Sequence, residues 1–480
     1  MIKAFVKDSL IYTIPTIVNR GLHFILLPFY TRVLNPNDFG NLDLIIIFTS
    51  LINLTIALEI SQGFARFLPD EKSSEGKKII SFSALAFTVC CYLIYLLVAL
   101  IFLKDLTIIF FSDPNFDDFM LLGIVYSFIN GLLYFFQNHL RFDLQSKNYA
   151  ITNLSVSFLL AFSAIVFSGI FDFKLSGIIM AMIISNVFGC AISIYYLRKS
   201  YKLKISSKKL IKMLKFSFPL VFSSLSVYIG TYVDRIMINQ LLSNYELGIY
   251  SLAFRVSSII LLLMVGIQMA ITPIIYNNYK KPETRKNLEE IFSYFSAISI
   301  IFILSFCLFS REILMVFTTK EYFEAYILIY ILAPSILLSQ MYIFTPGLAI
   351  EKKTKIIFLI SLIGALINTS LNLFLIPIYQ IMGASVATLI SSTFMFFSYY
   401  FISNYYYKLR YKIFRIIFNC IIIIFLSYFM INFIESNFVM EFLIRILLIL
   451  ISLVLIVFSG LVKVREIKSF KKYMNDIFLK

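Results

Sequence analysis

Tryptophan is absent from this chain, histidine occurs twice, and only 14% of the residues are charged. The two histidines, His23 and His139, are far apart in sequence, so no histidine-based metal centre is offered. Cys90, Cys91, Cys190, Cys307 and Cys420 all fall in apolar stretches without paired or metal-like spacing, which argues against a disulfide framework and against a zinc site. A Walker-type glycine-rich loop is missing too, and no polar stretch exceeds roughly twenty residues, too short for a nucleotide-binding fold. The expectation is therefore a non-enzymatic chain without a resident cofactor, using no ATP of its own.

Apolar sequence fills the space these absences leave. With 60% hydrophobic residues and a mean hydropathy of +0.89, the chain repeats runs long enough to cross a bilayer. The runs lie near 9–29, 42–67, 79–103, 119–140, 150–171, 175–197, 216–238, 249–276, 291–310, 323–346, 356–377, 383–403, 416–434 and 442–462. The fold class expected is an all-α polytopic membrane protein of about 14 transmembrane helices. Pro15, Pro28, Pro219, Pro273, Pro334 and Pro346 then mark kinks, because neighbouring helices re-satisfy the freed backbone groups. Tyrosines at span ends (Tyr195, Tyr196, Tyr276, Tyr279, Tyr405, Tyr406, Tyr407) suit an interfacial belt.

Charge orients the chain. With both termini cytoplasmic, 32 of the 42 Lys and Arg face inward and only Arg32, Lys104, Lys174, Arg311 and Lys320 face outward. The net charge of +16 thus reads as topology and as contact with anionic membrane lipids, with no nucleic acid implied.

Thr31 to Leu44 and Asn239 to Leu252 lie 208 positions apart, each joining one apolar run to the next. Leu34, Gly40 and Leu44 match Leu242, Gly248 and Leu252, and Asn35, Asp38 and Phe39 have the similar Ser243, Glu246 and Leu247 opposite them. The matched segments follow spans one and seven, so the repeat is six helices and both copies share one orientation. The expected organisation is an N-lobe (1–200), a basic linker (201–215), a C-lobe (216–405), two appended helices (406–462) and a basic tail (463–480). Two lobes in one chain already enclose a path, so a monomer is expected.

Ionisable groups inside spans cost at least about 2.5 kcal/mol and face partners or a watery cavity. Asn19, Arg20 and His23 share a face of span one; Glu59, Gln62 and Arg66 recur at helical spacing in span two. Asp234, Arg235, Arg255 and Gln268 follow in spans seven and eight, with Gln340, Asn368 and Asn372 later. Structural readings stand beside these: Glu59 pairing with Arg20 or Arg66, snorkelling for Arg66 and Arg235, interior packing for both histidines, and helix-to-helix bonding for the amides. Arginine forks suit phosphate oxygens, making Arg20, Arg66 and Arg255 candidates for an anionic substrate, with Asn19, His23, Gln62, Asn138, Asn368 and Asn372 for its polar remainder. Glu59 and Asp234 are the carboxylates placed to carry a coupling H+ or Na+.

Leu27 to Asn41 (LPFYTRVLNPNDFGN), Asp234 to Asn239 (DRIMIN) and Glu246 to Tyr250 (ELGIY) resemble the corresponding regions of O-antigen flippases of the Wzx type. These form the polysaccharide-export branch of the multidrug, oligosaccharidyl-lipid and polysaccharide exporter (MATE/MOP) superfamily. The resemblance implies a bacterial inner-membrane protein that moves an undecaprenyl-pyrophosphate-linked glycan repeat unit between leaflets by alternating access. It implies as partners the polymerase and chain-length regulator of an O-antigen, capsule or teichoic-acid pathway. A MATE-like drug or cation antiporter would share the fold but need fewer cationic groups; a membrane polysaccharide polymerase or ligase would need a long outer loop.

Overall fold

The computed structural model describes residues 15, 17–19, 21, 22, 24–111, 116–264, 267, 268, 275, 279–433 and 438–462. Arg20 and His23 lie outside them. No strand occurs among the described residues, and eleven of the described helices are long and apolar enough to cross a membrane. Rows of exposed apolar side chains, such as Ile94, Leu97 and Ile101 or Leu443, Leu450 and Val454, belong against acyl chains. The chain is an all-α, multi-pass membrane protein.

Where the residues are described, predicted spans and observed helices agree closely, with three instructive differences; parts of the expected spans 9–29 and 249–276, with Pro273 and Tyr276, lie outside the described residues. The predicted run 42–67 is two helices, Pro36–Thr55 and Ile60–Phe67, separated by Leu58 (φ 49°) and Glu59 (φ 51°) in the left-handed region. That conformation costs about 1–3 kcal/mol per non-glycine residue and carries no Gly or Pro to announce it. Half of the basic linker is helical, because Ser207–Leu241 runs 35 residues and takes Lys208, Lys209, Lys212 and Lys215 into its first turns. Lysine is a good helix former, so nothing stops the helix at the hydropathy boundary.

The third case is Thr354–Tyr406, 53 residues long. At 1.5 Å per residue it would reach about 80 Å, far beyond a ~30 Å hydrocarbon core. The backbone reverses at Gln380 (φ 53°, ψ −139°). Asn368 Nδ2 then donates to Ser391 Oγ at 3.3 Å, and Tyr399 OH to the Ile357 carbonyl at 3.2 Å, pairings that require an antiparallel hairpin. Gly383 sits beside the turn because a Cβ there would run into the Leu375 backbone. The expected spans 356–377 and 383–403 are therefore both present.

The chain forms two compact units. One gathers the described residues of Met1–Ile259, Leu314–Leu332 and Phe358–Ser391; the other those of Ile260–Ile313, Ala333–Ile357 and Ser392–Lys480. In the second unit Leu304 and Leu308 of Pro282–Leu308 pack with Ile423 of Ile413–Phe433 and Leu448 of Phe438–Phe458. Arg445 is tied there to Glu312 and Glu441, so it serves as a staple.

The repeated segments meet inside the first unit. Asn35 caps the Pro36 helix by accepting from Asp38 N at 2.9 Å, and Ser243 caps the Asn244–Ser257 helix by accepting from Glu246 N at 3.2 Å. Each pair of positions is related by 208 residues. Gly40 lies against the Asn244 carbonyl and Gly248 against Pro36, and neither has room for a Cβ. Because Asn244 is the equivalent of Pro36, one contact is made twice, as across a local two-fold axis. The glycines recur because backbone meets backbone at both places.

Candidate functional site

Asp43 lies one helical turn below Gly40 on the same seam. Its Oδ2 accepts from Ser251 Oγ at 2.8 Å. Ser251 is the repeat equivalent of Asp43, and a residue that touches its own equivalent sits on the local two-fold axis. Two guanidiniums converge on the same carboxylate: Arg235 Nη1 at 3.4 Å from Oδ2 and Arg255 Nη2 at 3.2 Å from Oδ1. Arg235 is buried, its plane over Phe254 at 4.1 Å; Arg255 is partly open and lies over Phe39 at 4.6 Å. Neither pairing is a fork, since each rests on a single long N···O contact. Among the described residues Arg235 Nε is buried without a hydrogen-bond partner.

The neighbouring residue begins a second chain of polar groups. Asp234 Oδ1 accepts from the Arg235 backbone N–H at 2.8 Å, while its Oδ2 accepts from Tyr250 OH at 2.5 Å. Tyr250 OH lies 3.5 Å from Thr388 Oγ1, which accepts from Asn368 Nδ2 at 3.5 Å. Asn372 Nδ2 donates to Asn368 Oδ1 at 3.1 Å, and Asn372 Oδ1 is buried without a partner among the described residues. Carboxylate, phenol, hydroxyl and amide oxygens thus gather on four spans of the first unit. Hard oxygen donors of this kind suit a proton or a small cation, whereas the Arg235 and Arg255 guanidiniums suit an anion.

The preceding helices hold a neutral counterpart. Tyr92 OH donates to Asn53 Oδ1 at 3.0 Å, Asn53 Nδ2 to Asn130 Oδ1 at 2.7 Å, and Asn130 Nδ2 to Tyr126 OH at 3.3 Å. Gly131 makes this possible, because a Cβ there would occupy the Tyr92 ring.

The remaining candidates separate. Asn19 is partly buried. Glu59 accepts from Ser224 Oγ at 2.7 Å, with Arg66 engaged elsewhere, in an exposed pair with Asp70 at 3.0 Å. Gln62 is exposed, and Asn138 Nδ2 donates to its own helix at the Tyr134 carbonyl. His139 is buried against Phe64 and Phe135, its Nδ1 2.8 Å from Tyr201 OH, which suits the interior reading. Burial pushes the Tyr201 hydroxyl well up, so it stays protonated. Arg235, a candidate for snorkelling, instead turns inward to Asp43. Asp43, Tyr250, Ser251 and Thr388 are the members that hydropathy does not single out. Asp43 escapes because the predicted span starts at 42, whereas capping by Asn35 starts the helix at Pro36 and carries Asp43 into its third turn. The 208-residue offset could have found it through Ser251.

Comparison with known proteins bears on the family and the fold. The profile of the family described as "Polysaccharide biosynthesis protein" covers residues 5–278, and that described as "MatE" covers 219–374. An uncharacterized membrane protein of Methanocaldococcus jannaschii is 26% identical over 414 residues, 81% of this chain and 95% of that protein. The capsular polysaccharide biosynthesis protein CapF of Staphylococcus aureus is 26% identical over 415 residues, 82% of this chain and 98% of its own. Among solved structures, the lipid II flippase MurJ in an inward closed conformation superposes with a TM-score of 0.73 at 17% identity, over 92% of this chain and 98% of MurJ. With more than half its length matched by one profile, the chain belongs to the polysaccharide biosynthesis protein family.

Proposed function

We propose that the chain is a flippase carrying an undecaprenyl-pyrophosphate-linked oligosaccharide repeat unit from the cytoplasmic to the periplasmic leaflet of a bacterial inner membrane. Both termini are cytoplasmic, as the lysine and arginine distribution demands, and the lobes 1–200 and 216–405 alternate about the seam between their repeated helices. The protein acts as a monomer. The names of CapF and MurJ support this class of cargo.

The observation that carries the reading is the partly open Arg255, a guanidinium inside an apolar span whose one hydrogen bond among the described residues is from Nη2 to Asp43. Pyrophosphate entering hydrocarbon needs its water replaced, and a planar fork does so with two parallel bonds. Arg255 is assigned to the phosphates with Arg20 from span one, and Asn19, His23, Gln62 and Arg66 remain the candidates for further polar contact. Coupling is assigned to Asp234, whose oxygen-rich surroundings hold H+ or Na+; Glu59 has Ser224 alone among its described partners.

Proteoliposomes containing a short-chain polyprenyl-pyrophosphate disaccharide test this with a membrane-impermeant pyrophosphatase outside. Wild-type protein should expose the protected half of the lipid, and Arg255→Ala should slow that exposure about tenfold, the worth of one charge-assisted bond. Exposure no faster than in empty liposomes would refute the reading. The antiporter alternative predicts dye export, which buried guanidiniums disfavour by repelling cations.

A further inference from the structure

The anion that occupies Arg255 in this structure is the protein's own. Asp43 stands on the local two-fold axis, bonded to Ser251, and holds Arg235 and Arg255 through one long contact each. Ser251 and Arg255 lie on the Asn244 helix and Arg235 on Ser207–Leu241, so separation of the Pro36 and Asn244 helices must break the bonds to Ser251 and Arg255. Glycine packing at Gly40 and Gly248 adds no side chain that could stretch to keep the helices joined.

We infer that Asp43 is an internal stand-in for the substrate's phosphate, latching the seam between the repeats until a pyrophosphate takes Arg255 from it. This rests on the assignment of Arg255 to the phosphates. The exchange is feasible because the two sides are unequal: Asp43 offers Arg255 one oxygen at 3.2 Å, whereas a phosphate can take two donors at once. Arg255, open on one side, is where the exchange begins; the buried Arg235, with its unpartnered Nε, keeps Asp43 from being left as an isolated charge after Arg255 departs. Specificity follows, since a neutral glycolipid has nothing to offer Arg255 and leaves the latch shut. Asp43 is thus a positioning residue that acts through Arg255.

Spin labels at Asn37 and Tyr245 test it, because these repeat-equivalent positions are exposed at the two helix starts. The five native cysteines are first replaced by alanine. In the purified full chain, farnesyl pyrophosphate should move the label pair to longer distances, with inorganic pyrophosphate in parallel to separate phosphate recognition from prenyl binding. Asp43→Asn, and Asp43→Asn combined with Arg235→Gln to avoid an unpaired buried charge, should show the longer distance without ligand. Both should bind farnesyl pyrophosphate about tenfold tighter, one competing contact having been removed. Asp43→Glu keeps the charge with a longer reach and serves if both neutral variants fail to fold: it should bind the probe more weakly, and unchanged affinity would count against the latch. If the probe binds wild type without moving the labels, or if the neutral variants match wild type in both readouts, the latch is overturned while the reading of Arg255 stands. If the probe binds none of the proteins and Arg255→Ala changes nothing, that reading falls and the latch with it.

Discussion

The Pro36 and Asn244 helices share a cap, a close-packing glycine and a register 208 residues apart, yet they carry different chemistry. The equivalents of Asp234, Arg235 and Arg255 in the first repeat are Leu26, Leu27 and Ile47, and the equivalent of Tyr250 is Leu42. Asp43, conversely, has Ser251 opposite it. Duplication has kept what the backbone needs, because a carbonyl pressed against a glycine tolerates no substitute. Side chains were free to diverge, and the result is a neutral amide and phenol network in the first repeat and, in the second, the charged groups that close on Asp43. The difference separates scaffold from chemistry: where the repeats agree, packing is at stake; where they differ, the proposed transport chemistry is.

Variants can break that separation. Asp234→Ala should act most strongly, leaving the buried Arg235 and the partly open Arg255 to share Asp43 at a cost of about 3 kcal/mol or more; the thermal midpoint in detergent should drop and ion-stimulated transport should vanish. Gly248→Ala comes next, since its Cβ meets Pro36 backbone that cannot move aside. It should lower stability by about 1–3 kcal/mol in the same melting assay, against a helix propensity gain that would otherwise favour alanine. Tyr92→Phe tests the neutral network, removing one bond to Asn53 for about 1 kcal/mol, with transport within about twofold of wild type. Arg66→Ala should be mildest, because an exposed i,i+4 pair with Asp70 contributes no more than about 0.5 kcal/mol. A large transport defect in Arg66→Ala with normal melting would establish that residue, among the remaining candidates, as part of the substrate path.

Much of this scaffold is legible in the sequence, and for physical reasons. Hydrocarbon forces the backbone into helices, so apolar run length locates the spans, including the hairpin around Gln380 where Pro377 and Gly383 interrupt the run. Gly40 and Gly248 announce themselves through the repeat. The break at Leu58 and Glu59 is silent, because packing in the folded chain imposes those backbone angles and the local sequence would favour helix. The charged site is legible only in part. Hydropathy points to Arg255 and Asp234 as costly groups in apolar surroundings, but Asp43 looks like an ordinary residue near a span end. That Arg235 turns toward Asp43, with Ser251 closing the group, depends on which faces of three helices meet, and no single span encodes that.

The most direct test is made in the host cell. With the gene deleted, lipid-linked repeat units should accumulate on the cytoplasmic face of the inner membrane and surface polysaccharide should be lost. Wild type should restore both, and Arg255→Ala, expressed at equal level, should restore neither. Normal surface polysaccharide in the deletion strain, or full rescue by Arg255→Ala, would contradict the account.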